Sequence, residues 1–323
     1  MINETLSKKI HNMAISCGYD NCGIIPIDEM NMELFEERLE ARMKNVPGSD
    51  RFYGWMKSFS KIKETFPWAE SVVVCISDLT KYRYPETLRG RYAKAYMLST
   101  HTVHGSPVHN DALRFEKFFE DEDIKFIGGE EASPGYHFPL RHAAAQMGMG
   151  IIRKNNFFYT ENSSFVSLEG YVIDQKCRMV HKATVKPCPE KCTLCRDACM
   201  TKSLSDAYTM DPSKCISNLN TFAGGKLPEE ITEEMLGEWI CGCDACQDIC
   251  PFNRHDWNEG KEFYGLTDIE ELLAPANLIA ADDEILIEKI VPKTDRHIRP
   301  SRVNILRESA ERMLRVADKN IKK

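Results

Sequence analysis

Nine of the thirteen cysteines in this chain of 323 residues fall between Cys188 and Cys250, and their spacing limits what the chain can fold around. The stretch reads CPEKCTLCRDAC, then a lone Cys215 in SKCISNL, then CGCDACQDICP. A cubane of four irons and four sulfides takes three thiolates from one tight turn and a fourth from elsewhere, because one short loop cannot reach all four iron corners. Cys188, Cys192 and Cys195 form such a turn. Where two cubanes share a chain, the last cysteine of each run, usually followed by proline, ligates the other cluster. On that rule one cluster takes Cys188, Cys192, Cys195 and the distant Cys250, and the other takes Cys243 and Cys246 with Cys199 and Cys215. Cys241 is left over. The first run carries an extra residue, with Pro189 in the gap before Cys192, and Met200 follows Cys199 where proline is usual. A loop absorbs such an insertion.

Two other uses of cysteine fit less well. A structural zinc site wants two pairs and four ligands, which leaves the additional cysteines of each run unexplained. A disulfide framework belongs to short secreted chains with even cysteine counts. Here the count is odd, and the N-terminus, MINETLSKK, carries neither an apolar signal core nor a twin-arginine pair. The free thiols Cys17, Cys22, Cys75 and Cys177 fit a reducing compartment, so the chain is expected in the cytoplasm, and its cluster load suits a cell with little oxygen.

With 42% apolar residues, the chain can bury one large domain and a smaller one. Its longest apolar runs, such as SVVVCI, are far short of the roughly 18 residues that span a bilayer, so no membrane partner is expected. A formal net charge of -7 excludes a chain that coats nucleic acid nonspecifically and leaves room for one local contact surface.

Hydrophobic period places a helix at residues 3–17, with Leu6, Ile10, Met13, Ala14 and Cys17 on one side and Gly18 at its end. NCGIIPI follows as a buried strand, and MELFEERLEARMKN as a helix with Leu34, Phe35 and Leu39 inward. ESVVVCIS at 70–77 reads as a central strand. From Asp78 to Pro107 no period is visible. That long stretch mixes tyrosines with basic residues and ends in His101 and His104, so it either lines a pocket, supplies a metal-binding histidine pair or is a solvated loop. Helix character returns at 110–120, with Leu113, Phe115 and Phe118 inward, and KFIGG at 125–129 is a short strand. Residues 130–174 read as loop, helix, a turn bearing Gly148 and Gly150, then two strands ending in SSFVSLEGYVID.

These blocks together resemble the epoxyqueuosine reductases, whose wider relatives include the corrinoid-dependent reductive dehalogenases. CISNLN at 215–220 and CGCDACQDICPFN at 241–253 are similar to that family's CISYLT and YGCDDCQ-ICPWN signatures. GMGIIRKNNFFY with SFVSLEGYVID is similar to its GLGWTGK-SL and SFFFLGELLVD. GYDNCGII, YGWM at 53–56 and IRPSRVNILRESAERML are weaker matches, and the likeness covers most of the chain. The resemblance implies an α+β architecture: a nitroreductase-like α/β domain at 1–185 that holds a cobalamin, a ferredoxin-like module with two 4Fe-4S clusters at 186–260, and a helical C-terminal extension at 261–323. It also implies an oxidoreductase in which the clusters carry electrons from an external donor, such as a ferredoxin or flavodoxin, to the corrinoid. The substrate would be a small organic molecule or a modified nucleoside.

The chain departs from the family where the proton donor is expected. Epoxyqueuosine reductases carry an acidic residue in a V-D-S-A-P segment and a G-R-D-Y-H motif upstream; this chain has GGEEASPGYHFPLRH and no GRDYH. Ungapped counting from Gly150 puts Pro134 at the acidic position, and slight slack brings Glu131 or Glu130 there. The dehalogenase branch uses a tyrosine beside a basic residue, which makes Tyr136 with Arg141 or Lys154 the other candidate, the cation favouring a transient phenolate. Arg141, Lys154 and Asn155, with close backbone approach at Gly148 and Gly150, are the candidates for contacts to corrin amides.

Residues 293–323 carry ten Lys and Arg against four Asp and Glu. A basic helical end can touch tRNA phosphate, but an amphipathic helix with Ile305, Leu306 and Leu314 also suits simple docking on the core. Two functions stay open. One is a cobalamin-dependent iron-sulfur reductase, and the other is an electron-transfer or corrinoid-activating protein without substrate chemistry, which needs little beyond residues 186–255.

Overall fold

The computed structural model describes residues 1–98, 106–128, 137–222, 227–294 and 298–321. The chain packs as two compact units, each assembled from two stretches: Met1–Asp78 with Pro107–Glu190, and Leu79–Ser106 with Lys191–Lys323. Sequence reasoning suggested three consecutive parts at 1–185, 186–260 and 261–323. Instead, the stretch after Asp78 and the C-terminal extension both share the unit that holds most of the cysteine run. Among the described residues no helix is long and apolar enough to cross a membrane.

The described residues of the first unit form six strands: β1 (Asn21–Pro26), β2 (Ser71–Asp78), β3 (Phe126–Gly128), β4 (Ile151–Ile152), β5 (Phe158–Tyr159) and β6 (Val166–Ile173). Four of them make an antiparallel sheet in the order β1-β2-β6-β3, and β4 with β5 form a separate ladder. Strand side chains alternate between faces. Along β2, Val72, Val74 and Ile76 therefore enter one core while Val73 and Cys75 enter the other. Both faces are covered, which is why the strand reads as a continuous apolar run.

On one face lies α1 (Glu4–Ser16), capped by Asn3, whose Oδ1 accepts the Leu6 N–H at 3.0 Å. Leu6, Ile10 and Ala14 meet Phe115 and Phe119 of the Pro107–Asp121 helix there. Cys17, Cys22, Cys75 and Cys177 pack into the same core as small apolar side chains. Within it Glu169 is buried and accepts the Tyr19 hydroxyl. The opposite face is closed by the Leu140–Gln146 helix through Ala143 and Ala144. Two expected core positions face solvent. Leu113 is exposed because Phe115 and Phe119, four apart, supply the buried stripe. Leu34 is exposed because α2 (Glu33–Asn45) turns Leu39 inward.

In the second unit the aperiodic stretch is not a solvated loop over its described part. Tyr84 and Tyr92 are buried, and backbone bonds stitch the segment to distant chain: Arg83 N to Lys261 O at 2.8 Å, Tyr84 N to Trp257 O at 2.8 Å, and Ala93 N to Cys241 O at 2.9 Å. Its order comes from those partners rather than from a local period. His101 and His104 lie outside the described residues. The C-terminal helix, Asn304–Ile321, buries Ile305, Leu306, Ala310 and Met313 while Leu314 is exposed. Its cations are engaged within the unit. Arg312 donates to the carbonyls of Gly237 (2.7 Å) and Trp239, Arg315 pairs with Glu233 at 2.7 Å, and Lys319 with Glu234 at 2.8 Å.

Gly148 ends the Leu140–Gln146 helix with φ +70°, and a Cβ there would lie 2.1 Å from the His181 carbonyl oxygen. Gly148→Ala is expected to destabilise the chain by about 2 kcal/mol or more, since left-handed strain and a backbone collision add. Gly48 also has positive φ, at +81°, but nothing lies within 4 Å of its added Cβ. Gly48→Ala should therefore cost about 1 kcal/mol. Thermal denaturation of the two variants checks this, and equal losses would rule out the collision.

Candidate functional site

Three separated segments of the second unit bring thiols together. Cys199 ends the first run, Cys215 precedes the Ile216–Leu219 helical turn, and Cys243 and Cys246 flank the start of the Ala245–Asp248 turn. Burial pushes the Cys215, Cys243 and Cys246 thiols up, and neighbouring cysteine charge pushes them further: Cys199 acts on Cys215, Cys215 and Cys199 on Cys243, and Cys243, Cys215 and Cys199 on Cys246. These four thiols are therefore mutual neighbours, and they are the set the crossed arrangement assigned to one cluster. Thiolates crowded in a buried place repel one another unless a cationic group is shared among them. Among the described residues no three His, Cys, Asp or Glu side chains stand close enough to hold a single metal ion. A shared cubane needs thiolates spread wider than one ion does, so the donor set fits a cluster.

Cys192, Cys195 and Cys250 are half-buried on the same unit, carried by the packed Leu194–Asp197 and Ala245–Asp248 turns and the residue before Pro251. Cys188 falls at the end of the first unit's second stretch, where the Lys154 ammonium donates to the carbonyls of Pro189 (2.9 Å) and Glu190 (2.5 Å). Cys241, the leftover, is fully buried and its thiol is pushed up to about 12 by burial, which suits a packing role.

The turn between Cys241 and Cys243 is fixed by side chains that sequence reasoning missed. Asn220 makes a two-way bond with Gly242, its Oδ1 accepting the Gly242 N–H and its Nδ2 donating to the Gly242 carbonyl, both at 2.9 Å. Lys94 is 2% exposed and its ammonium reaches Asp244 Oδ2 at 3.3 Å and Asp248 Oδ1 at 2.8 Å. Asp244 Oδ2 also accepts the Lys94 backbone N–H at 2.8 Å. The charge alternation that would have flagged this triad is invisible in sequence, because about 150 residues separate the lysine from its partners.

The first unit contains a cavity of about 300 Å³, within the size range of small-molecule sites. Phe35, Trp55, Phe59 and Phe138 give it apolar walls, and Arg38, Arg42 and Arg141 give it charge. No Asp or Glu lines it among the described residues. Asn156 binds two of the guanidinium groups: its Oδ1 accepts from Arg42 at 2.7 Å and its backbone carbonyl accepts from Arg141. It does so from φ +67°, a left-handed conformation that asparagine tolerates better than most residues. Burial lowers the Arg42 pKa to about 10, with the charge of Arg141 adding to the effect, and burial also lowers that of Arg141. Both stay cationic at neutral pH. Asn156 is 8% exposed, and its Nδ2 is buried with no hydrogen-bond partner among the described residues.

Of the residues singled out for catalysis, Arg141 lines this cavity, whereas Tyr136, Glu131 and Glu130 lie outside the described residues. The residues singled out for corrin contact have partners within the chain. A Cβ on Gly150 would lie 2.2 Å from the Tyr159 carbonyl oxygen, and the corresponding space at Gly148 is filled by His181, so both glycines admit the chain's own backbone. Asn155 donates to the Tyr159 hydroxyl at 2.9 Å, and Lys154 holds the carbonyls after Cys188. Arg38 and Arg42 were missed because a charged helix face usually means solvent, and only the fold shows which side of α2 is walled in.

Comparison with known proteins adds to this geometry. Residues 188–253 match the family described as a 4Fe-4S double cluster binding domain. An epoxyqueuosine reductase from Cyclobacterium marinum is 35% identical over 257 residues, covering 78% of this chain and 80% of that protein. One from Cellulophaga algicola is 30% identical over 254 residues, again with 78% and 80% coverage. The crystal structure of an epoxyqueuosine reductase with a tRNA-Tyr epoxyqueuosine-modified stem loop superposes with a TM-score of 0.70 and 23% identity, over 96% of this chain and 81% of that one, a likeness of fold. With a double-cluster cysteine domain, a shared fold and this extent of sequence likeness, the chain belongs to the epoxyqueuosine reductase family, and is an iron-sulfur oxidoreductase.

Proposed function

We propose that the chain is a cobalamin-dependent reductase of a modified nucleoside carried by tRNA, fed by an external ferredoxin or flavodoxin through two 4Fe-4S clusters. The observation that carries this reading is the cavity of the first unit: three guanidinium groups and aromatic walls around a space of about 300 Å³. Aromatic faces stack a base, and donors without a lining carboxylate suit an acceptor-rich ligand with phosphate nearby. The relatives are named for epoxyqueuosine, and the solved neighbour binds a modified tRNA stem loop, which supports the nucleoside over a small organic molecule. An electron carrier without substrate chemistry would have no use for such a cavity.

The donor chemistry suits the amide rim of a corrinoid, although the cavity takes only part of a ring that large, so in this reading it holds chiefly the substrate. When bound, the corrinoid would supply a low-potential metal centre able to reduce a carbon–oxygen bond. Arg42 and Arg141, fixed by Asn156, would hold the substrate's acceptor groups and stabilise negative charge as the bond breaks. Lys154, Asn155, Gly148 and Gly150 would act on a corrinoid through the backbone they fix. The proton would come from Tyr136 or Glu131, which precede the cavity-lining Phe138 in the chain. Cys188, Cys192, Cys195 and Cys250 would hold one cluster, and Cys199, Cys215, Cys243 and Cys246 the other.

Anaerobic reconstitution followed by iron, sulfide and cobalt analysis is expected to give about eight irons and one corrinoid per chain. Iron without any corrinoid affinity would favour the carrier, and zinc would overturn the cluster reading. Among single variants, Cys215→Ser and Cys250→Ser should each lose about four irons, from different clusters, whereas Cys241→Ser should lose none. In single-turnover assays with reduced holoenzyme, Arg141→Met should slow product formation by about 100-fold, the scale of losing one transition-state donor. Tyr136→Phe and Glu131→Gln should part company, one slow and one unchanged; unchanged rates in both would remove the proton-donor assignment.

A further inference from the structure

Lys94 is a poor choice if stability alone is at stake. Its side chain is almost wholly buried, with the ammonium 5.2 Å from the Trp257 ring centroid and 5.9 Å from that of Tyr84. A buried ion pair of this kind contributes little net stability, and an apolar residue of like volume often does as well or better. What distinguishes the position is its partners. Asp244 stands between Cys243 and Cys246, and its charge reaches both thiols. Asp248 stands between Cys246 and Cys250 and is 42% exposed. The two carboxylates therefore sit in the ligand loop itself, where each makes an added electron on a neighbouring cluster less favourable. Lys94 arrives from a segment about 150 residues away and bonds to both.

We infer that Lys94 is a potential-setting residue: its ammonium offsets the Asp244 and Asp248 charges and so raises the reduction potential of the cluster held by Cys199, Cys215, Cys243 and Cys246. The inference rests on the cluster assignment above and adds to it a source of electronic control outside the ligand set. For unchanged charges on Asp244 and Asp248 the sign follows from Coulomb's law. Removing the cation makes the cluster harder to reduce, and removing one anion makes it easier. A residue that only held the loop in shape would show no such opposition, because both changes would loosen the same loop in the same way.

The test is an EPR-monitored redox titration of the reconstituted full chain, with iron content measured beside it. Lys94→Met should lower the reduction equilibrium of one of the two clusters about tenfold, which is 59 mV for a one-electron couple. Asp248→Asn, a change at a partly exposed site, should move the same couple upward, and Lys94→Arg should stay near wild type. If Lys94→Met fails to assemble its clusters, Lys94→Gln, which keeps a hydrogen-bond donor without the charge, takes its place and should move the same couple downward. Unchanged potentials in the variants that do assemble, or shifts of one sign in Lys94→Met and Asp248→Asn, would overturn the inference. Absence of iron from the wild-type chain would instead remove the cluster reading on which it rests.

Discussion

The constraint on which the second unit depends is the crowding of four thiols in one buried place. Cys199, Cys215, Cys243 and Cys246 come from segments far apart in the chain, and burial together with the charge of neighbouring cysteines disfavours ionisation of Cys215, Cys243 and Cys246. Such an arrangement is costly in an empty protein and favourable once a cationic cluster is shared, so cofactor binding and local folding are coupled. The surrounding architecture follows from this need. Asn220 pins the Gly242 turn, the Ile216–Leu219 core closes behind Cys215, and Lys94 compensates the carboxylates that the loop carries. None of these groups is a cysteine, and the Asn220 bonds and the Lys94 pair fix the chain on either side of Cys243.

The cavity of the first unit poses a different electrostatic problem. Arginines on α2 and on the helix after residue 139 converge with no acidic lining residue among those described, held by one asparagine in a conformation few residues adopt. Guanidinium groups that share a single asparagine are pre-oriented, since their rotamers are set before a ligand arrives. The same fixation concentrates positive potential in an otherwise acidic chain. That contrast suits a ligand that brings its own negative charge.

Sequence reasoning found what short-range pattern encodes. The period of α1 and the continuous apolar run of β2 are local, and the helix and strand they predict are present in the fold. It missed what only tertiary neighbours decide. The stretch after Asp78 has no period because its order is borrowed from Lys261, Trp257 and Cys241. Leu113 and Leu314 looked inward by composition, yet on each helix other apolar residues occupy the buried stripe. Gly148 and Gly150 were correctly seen as sites of close approach, but the backbone that approaches them belongs to this chain.

The interleaving of the two units has a consequence for how such a protein can be divided. The chain passes from the first unit into the second at Leu79, returns near Pro107 and crosses again near Lys191. A fragment beginning at residue 186 would keep nine of the thirteen cysteines but leave behind Ala93, whose N–H donates to the Cys241 carbonyl, and Lys94, which pairs with Asp244 and Asp248. The cysteine-rich unit is thus not a cassette that could be moved by one cut, because it includes Leu79–Ser106, a segment with no cysteine of its own.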